Sequence, residues 1–416
     1  MQRRDFLRLL ASAAAAGASL RLGLSPAQAA DELYEVPPFG NVSLLHVTDV
    51  HAQLLPVYFR EPSVNLGLGE ASGRPPHVVG AAFLKTLGIQ PGSVRAHAFT
   101  HLDFERLARR YGKVGGYAHL ATLVKRLRAA RPHALLLDGG DSWQGSATSL
   151  WTRGADMIGA QKRLGVDLMT AHWEFTYGAE RVRQAVDKEL APIEFLAQNV
   201  KTVDFEDPVF KPYSLRTVGG VGLAVIGQAF PYTPIANPRH LVPDWTFGIQ
   251  EPRLQQLVDE VRAKGAQAVV LLSHNGMDVD LKLASRVRGI DVILGGHTHD
   301  GVPRPVQVGT TLVTNAGSNG KFLAVLDLQV GGGVSDYRYR LLPVFSNLLP
   351  ADREMAAYIA QVRKTYESRL RERLAVTETL LYRRGNFNGT WDQLMLEALM
   401  QEKGAEIGPR PTLARR

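Results

Sequence analysis

The chain has no cysteine among its 416 residues. That excludes disulfide stapling, thiolate catalysis and zinc held by sulfur, so a packed core must hold the fold together. No Lys/Arg block with interleaved aromatics is present, which argues against nucleic acid as a partner. No internal repeat and no low-complexity tract occurs beyond the first stretch. The apparent excess of positive charge, +8, sits largely at the ends. Residues 1–29 carry four arginines and one aspartate, leaving +5, and Arg410, Arg415 and Arg416 account for three more, leaving about +2 on the body.

What is present is ordinary globular composition, 45% hydrophobic and 21% charged. The length suits one large domain of roughly 250–300 residues with something smaller attached. The opening "MQRRDFLRLLASAAAAGASLRLGLSPAQAADEL" pairs Arg3 with Arg4, follows with Phe6, Leu7 and an alanine-rich run, and closes on Ala27-Gln28-Ala29. Residues 1–29 therefore read as a twin-arginine export signal, and the periplasm is the expected location. That route carries folded proteins, so a metal can be loaded before export.

Apolar strand-like runs alternate with helical spacing along the rest. Strands are expected within 41–56, 134–146, 166–175, 193–200, 208–230, 266–276, 289–300, 311–317, 322–330 and 337–344. Helices are expected over 114–132, 154–164, 250–264 and 351–374, with a capping box at Thr390-Trp391-Asp392-Gln393 opening a last helix. Residues 57–110 have weak periodicity and read as a long surface insertion. Alternation of this kind predicts an α/β protein with mixed sheets.

Several of these strands end in metal-ligand side chains. One ends in Asp49 and His51, the next in Asp141, then His172, His274, and finally His297 with His299. In extended chain, residues two apart project to one side, so Asp49 with His51 and His297 with His299 are each expected to converge. Neighbouring Gly139, Gly140, Gly276, Gly295 and Gly296 allow sharp turns and close approach. Open α/β sheets place ligands at the carboxyl ends of their strands. Two carboxylates and five imidazoles without a thiolate suit a pair of first-row metals such as Mn, Fe or Zn, with Asp141 as the bridging carboxylate. Asp138 reads as a turn residue. Histidines 46, 77, 97, 101, 119, 133 and 240 read as structural.

"TDVHAQL", "DGGDSWQGS", "LLSHNG" and "LGGHTHD" resemble the calcineurin-like metallophosphoesterases, in particular their 5′-nucleotidase branch. The resemblance implies a four-layer α/β/β/α sandwich with two mixed sheets. It places Asp49, His51, Asp141 and His299 on one metal, and Asp141, His172, His274 and His297 on the other. Where nucleotidases have "GNHEFDYG" this chain has "AHWEFTYG" at 171–178. His172 thus stands at the Asn ligand position, Trp173 at the catalytic His, and Thr176 at the aspartate that orients it. Without that pair, protonating an alkoxide leaving group is poorly provided for.

This substitution, with "FPYTPIANPRHLVPDWTFGIQE" and "TLVTNAGSNGKFLAVLDL", is similar to the thiosulfohydrolase family of bacterial Sox sulfur oxidation. The similarity runs from about residue 40 to about 407. It implies a dimanganese enzyme whose dimetal-bound hydroxide attacks a cysteine S-thiosulfonate on the SoxYZ carrier protein, releasing sulfate and leaving a persulfide. Trp173 then either packs against the carrier's arm or belongs to the core. The expected organisation is a signal at 1–29, a catalytic domain at 30–347, and at 348–416 a linker helix with the truncated start of a 5′-nucleotidase-type domain. An exposed apolar face is expected where that domain would pack. Two alternatives stand beside this reading: a periplasmic 5′-nucleotidase or phosphoesterase, and a metal-binding chain without turnover.

Overall fold

A computed structural model describes residues 30, 33–58, 67, 69–379, 381 and 389–405, so the export signal and the segment 406–416 lie outside the described residues. Fourteen strands fall among them, numbered here in chain order: β1 (Val42–Val47), β2 (Leu135–Asp138), β3 (Leu168–Met169), β4 (Glu194–Phe195), β5 (Lys201–Thr202), β6 (Tyr213–Val218), β7 (Val221–Gln228), β8 (Trp245–Thr246), β9 (Ala268–Ser273), β10 (Val292–Gly295), β11 (Val306–Val308), β12 (Thr311–Asn315), β13 (Phe322–Val330) and β14 (Val334–Pro343).

Two six-stranded sheets carry the site. The first has the order β14-β13-β1-β2-β3-β4 and the second β11-β12-β10-β9-β7-β6, while β5 and β8 form a separate ribbon. Strands β1 to β4 run parallel, with β13 and β14 added antiparallel. In the second sheet β7, β9, β10 and β12 are parallel, and β6 and β11 are the antiparallel edges.

Strand β1 shows why the sheets stack. Its Val42 and Leu44 enter a core shared with Leu223, Val225, Val270, Leu272, Val292 and Leu294 of the other sheet. Its Leu45 and Val47 point the opposite way, into a cluster with Leu120, Leu123 and Val124 of the helix Tyr117–Ala129. A strand buried on both faces reads as a continuous apolar run, and this one does. The outer face of the second sheet is covered by the helices Glu251–Ala263 and Met277–Ala284. The result is the expected α/β/β/α sandwich, in which truncating Leu44 to Ala would cost about 2–5 kcal/mol.

Four local expectations are corrected. Residues 57–110 are not a plain loop: helices form at Gly80–Leu87, Val94–Phe99 and Phe104–Tyr111, each too short to display a clear period. They pack inward, with buried His97 stacked at 5.6 Å on Phe345 and Phe99 at 5.3 Å on Phe322. The strands expected over 166–175 and 193–200 shrink to two residues each. After Met169 the backbone turns away from the sheet, and Trp173–Tyr177 forms a 3₁₀ turn. The long helix at 351–374 stops at Lys364, with only a short turn at Glu367–Leu370. The last helix is capped by Gly389, whose N–H donates to Asp392 Oδ2 at 3.2 Å, one residue before the expected cap.

The C-terminal part exposes Leu374, Val376, Trp391, Leu394 and Leu399, and Phe205 and Ile235 are exposed elsewhere on the surface. No helix among the described residues is long and apolar enough to cross a membrane.

Candidate metal centre

The carboxyl ends of the parallel strands of both sheets meet at the seam between them. Asp49 and His51 follow β1, Asp141 follows β2, and His172 follows β3. From the other sheet, His274 follows β9, and His297 and His299 follow β10. The structure brings all seven together in two groups of donor atoms, Asp141 with His172, His274 and His297, and Asp49 with His51 and His299.

Convergence does not come from strand pleating, as the spacing suggested. The strands end before the ligands, and Asp49, His51, Asp141, His297 and His299 have left-handed backbone, with φ of 52°, 51°, 59°, 73° and 60°. Each such residue costs of order 1–2 kcal/mol and persists only if its surroundings impose it. Here the loops are zipped together: Asp49 N donates to Gly140 O at 2.9 Å, His51 N to Asp141 O at 2.8 Å, and Ala52 N to Ser142 O at 3.1 Å. Gly296 is required by proximity. A Cβ there would lie 2.5 Å from Thr48 Oγ1 and 2.9 Å from His274 Nδ1.

Asp141 stands at the middle. Its Oδ2 is 3.0 Å from His274 Nε2, 3.2 Å from His172 Nδ1 and 3.9 Å from His51 Nε2. Its Oδ1 accepts the backbone N–H of Trp173 at 2.7 Å. Asp49 Oδ1 lies 3.2 Å from His299 Nε2, while Oδ2 accepts the Thr48 hydroxyl at 2.6 Å and His297 N at 3.0 Å. Both carboxylates are fully buried.

The donor chemistry fits divalent ions. His51 Nε2 and His299 Nε2 approach to 3.0 Å, and two imidazole nitrogens that close need a proton or a cation to share. His274 Nδ1 faces Gly139 O at 2.6 Å; a carbonyl only accepts, so Nδ1 carries a proton and Nε2 is the nitrogen turned toward both carboxylates. Burial, reinforced by the neighbouring imidazoles, drives His297 down to about 2 and holds His172 well below the usual imidazole range. Neutral rings keep their lone pairs available for a metal.

Residues that the sequence reading did not single out complete the surroundings. Glu174 is fully buried and accepts backbone N–H groups from both ligand-bearing loops. Burial raises its carboxyl above the ordinary range. A lone carboxylate inside the aromatic stretch "HWEFTY" was the available signal. Phe230 packs its ring 3.9 Å from His172 and 4.2 Å from His297, between centroids. It follows β7, a parallel strand beside β9 that ends without a ligand, so strand order was its signal. Trp173, which the sequence had singled out together with Thr176, is half-buried and stacks on His172 at 4.6 Å. Its carbonyl accepts the Thr176 hydroxyl at 2.7 Å.

Asp138 serves its turn, accepting Gly140 N at 3.0 Å and the Ser142 hydroxyl at 2.7 Å, and burial pushes it up to about 6. The histidines read as structural stay out of the two donor groups. His46 is buried and driven down to about 3 by desolvation, His77 meets Asp278 at 3.0 Å, and His119 meets Leu349 O at 2.7 Å.

No family model matches the chain. Among curated proteins, the 5′-nucleotidase of Bos taurus is 34% identical over 194 residues, which is 45% of this chain and 33% of that protein. The match therefore spans about a third of the length of such relatives. Among solved structures, the sulfate thiohydrolase SoxB of Thermus thermophilus, in complex with glycerol, superposes with a TM-score of 0.84 at 41% identity. It covers 89% of this chain and is itself covered over 69% of its length. A 5′-nucleotidase precursor, also from Thermus thermophilus, shares the fold, with a TM-score of 0.69 at 22% identity over 88% of this chain and 67% of that one.

Proposed function

The chain belongs to the SoxB family, within the 5′-nucleotidase branch of the calcineurin-like metallophosphoesterases, and from that premise we propose that it is a periplasmic thiosulfohydrolase. Its substrate is a cysteine S-thiosulfonate carried by a SoxYZ-type protein, and it reaches the periplasm through the twin-arginine route. Asp49, His51 and His299 hold one divalent ion, His172, His274 and His297 hold the other, and Asp141 is shared. Two manganese ions, or other first-row divalent ions, supply Lewis acidity toward the sulfonate oxygens and a hydrolytic water of lowered pKa.

The observation that carries the substrate choice is Trp173. An indole stacked on His172 occupies the place where a phosphomonoesterase keeps its general acid, and an indole N–H does not protonate an alkoxide. A persulfide anion leaves without a proton. In the reaction, water oxygen bonds to the terminal sulfonate sulfur, and the bond between that sulfur and the outer sulfur kept by the carrier breaks. Sulfate departs, the electron pair of the broken bond stays on the carrier persulfide anion, and both protons of the water are lost to solvent. Phe230 and Trp173 shield His172 on two sides and keep its face dry, which strengthens its electrostatics.

Sulfate release from a SoxYZ-type carrier bearing the thiosulfonate, set against phosphate release from AMP, tests the proposal. Sulfate release lost in His297→Ala supports it; AMP turnover without sulfate release moves the chain to the nucleotidases. Full metal loading with neither product leaves a metal-binding chain without turnover.

A further inference from the structure

The loop that carries Asp141 is held by a second carboxylate that belongs to neither donor group. Four backbone N–H groups converge on Glu174: Ser142 N at 2.7 Å and Trp143 N at 3.1 Å on Oε1, and His172 N at 2.8 Å and Asp141 N at 3.2 Å on Oε2. We propose that Glu174 is the positioning residue of the metal centre, fixing the backbone spacing of Asp141 and His172 before any metal arrives. This rests on the reading that the two donor groups bind metal ions.

The hydrogen bonds carry that role further than a buried charge finding partners. Oε2 links the amides of two residues whose side chains meet at 3.2 Å, one following β2 and the other β3. One oxygen atom thus sets how far apart those two ligand-bearing backbones stand. The amides of 140–143 are all taken up inside, because Gly140 N goes to Asp138 Oδ1 at 3.0 Å. With its amides anchored, the loop turns the carbonyls of Gly140, Asp141 and Ser142 toward the amides of Asp49, His51 and Ala52. Glu174 therefore acts on the second donor group through the loop. Partners of this kind behind the direct ligands govern metal affinity, and their loss costs about 10–100-fold.

Glu174→Gln is close to isosteric. Its amide oxygen still accepts two N–H groups, but its amide nitrogen is a donor and turns two of the four bonds into donor–donor contacts. Metal affinity by chelator competition, read beside thermal unfolding of the metal-free chain, separates positioning from plain stability. The expected result is a loss of affinity of about 10–100-fold at both ions. The control Tyr358→Phe removes a distant hydrogen bond to Asp156 O, and is expected to lower the melting temperature with metal affinity unchanged. Glu174→Gln binding both ions as the parent does would overturn the proposal. So would free amide exchange at residues 141–143 and 172 in the metal-free parent, a measurement that holds even if the variant does not fold. A parent chain that binds no metal refutes the underlying reading instead.

Discussion

Asp141 Oδ2 and His274 Nε2 lie 3.0 Å apart across the seam of the sandwich, one carried by the first sheet and the other by the second. An ion held by these two residues would tie the sheets together. Metal binding is therefore expected to stabilise the whole fold and not one loop. At metal concentrations about 100 times the dissociation constant, the linkage is worth about 2.7 kcal/mol, and the melting temperature rises by several degrees. Calorimetry with and without a chelator checks this. An identical melt in both conditions would contradict it.

Trp173 and Thr176 separate this site from a phosphomonoesterase. The double substitution Trp173→His, Thr176→Asp is expected to raise turnover of an alkyl phosphate such as AMP by roughly 10-fold or more, since a placed general acid is worth about 10²–10⁴. Steady-state phosphate release gives the answer. No gain, in a variant that still binds metal, would remove Trp173 as the basis of substrate choice.

Asp280, on the helix after His274, is buried, and desolvation lifts its carboxyl from 3.8 to about 7, against hydrogen bonds from the Ser273 hydroxyl at 2.7 Å and Asn275 Nδ2 at 3.0 Å. A carboxyl raised on folding holds its proton in the native state only. Its contribution is full below about pH 4 and is lost as the pH rises through about 7. Asp280→Asn keeps the neutral shape. It is expected to match the parent near pH 4 and to exceed it by a few kcal/mol at about pH 8. Urea unfolding of both metal-free chains across that range measures the gap, and parallel curves would refute the assignment.

Arg131 and Asp327 form a buried ion pair at 2.7 Å, and Arg131 also donates to the Val36 and Pro37 carbonyls. Arg131→Ala strands a buried carboxylate. A loss of about 3–5 kcal/mol is expected, with metal affinity unaltered because the pair is separate from the donor groups. A loss under about 1 kcal/mol by denaturant titration would show that the site relaxes or hydrates.

The layers and the ligand set were legible in the sequence because both rest on strong local patterns. An apolar run such as "AVVLL" needs burial on two faces, and a histidine at the end of its strand, as His274 is after Ser273, inherits the strand's position. What was not legible depended on contacts distant in sequence. The left-handed turns at Asp49 and His297 are imposed by partner loops. The helices near His97 exist because Phe345, far along the chain, gives them something to stack on. Glu174 was missed because its function lies in accepting amides from a loop some thirty residues earlier, which no spacing rule encodes.

The central claim is that two donor groups sharing Asp141 make a two-ion centre. Metal content by plasma mass spectrometry, on protein loaded with manganese and freed of excess, tests it most directly. Two ions per chain are expected in the parent, one in His299→Ala, and none held tightly in Asp141→Ala. A single ion in the parent, or two ions retained by Asp141→Ala, would contradict it.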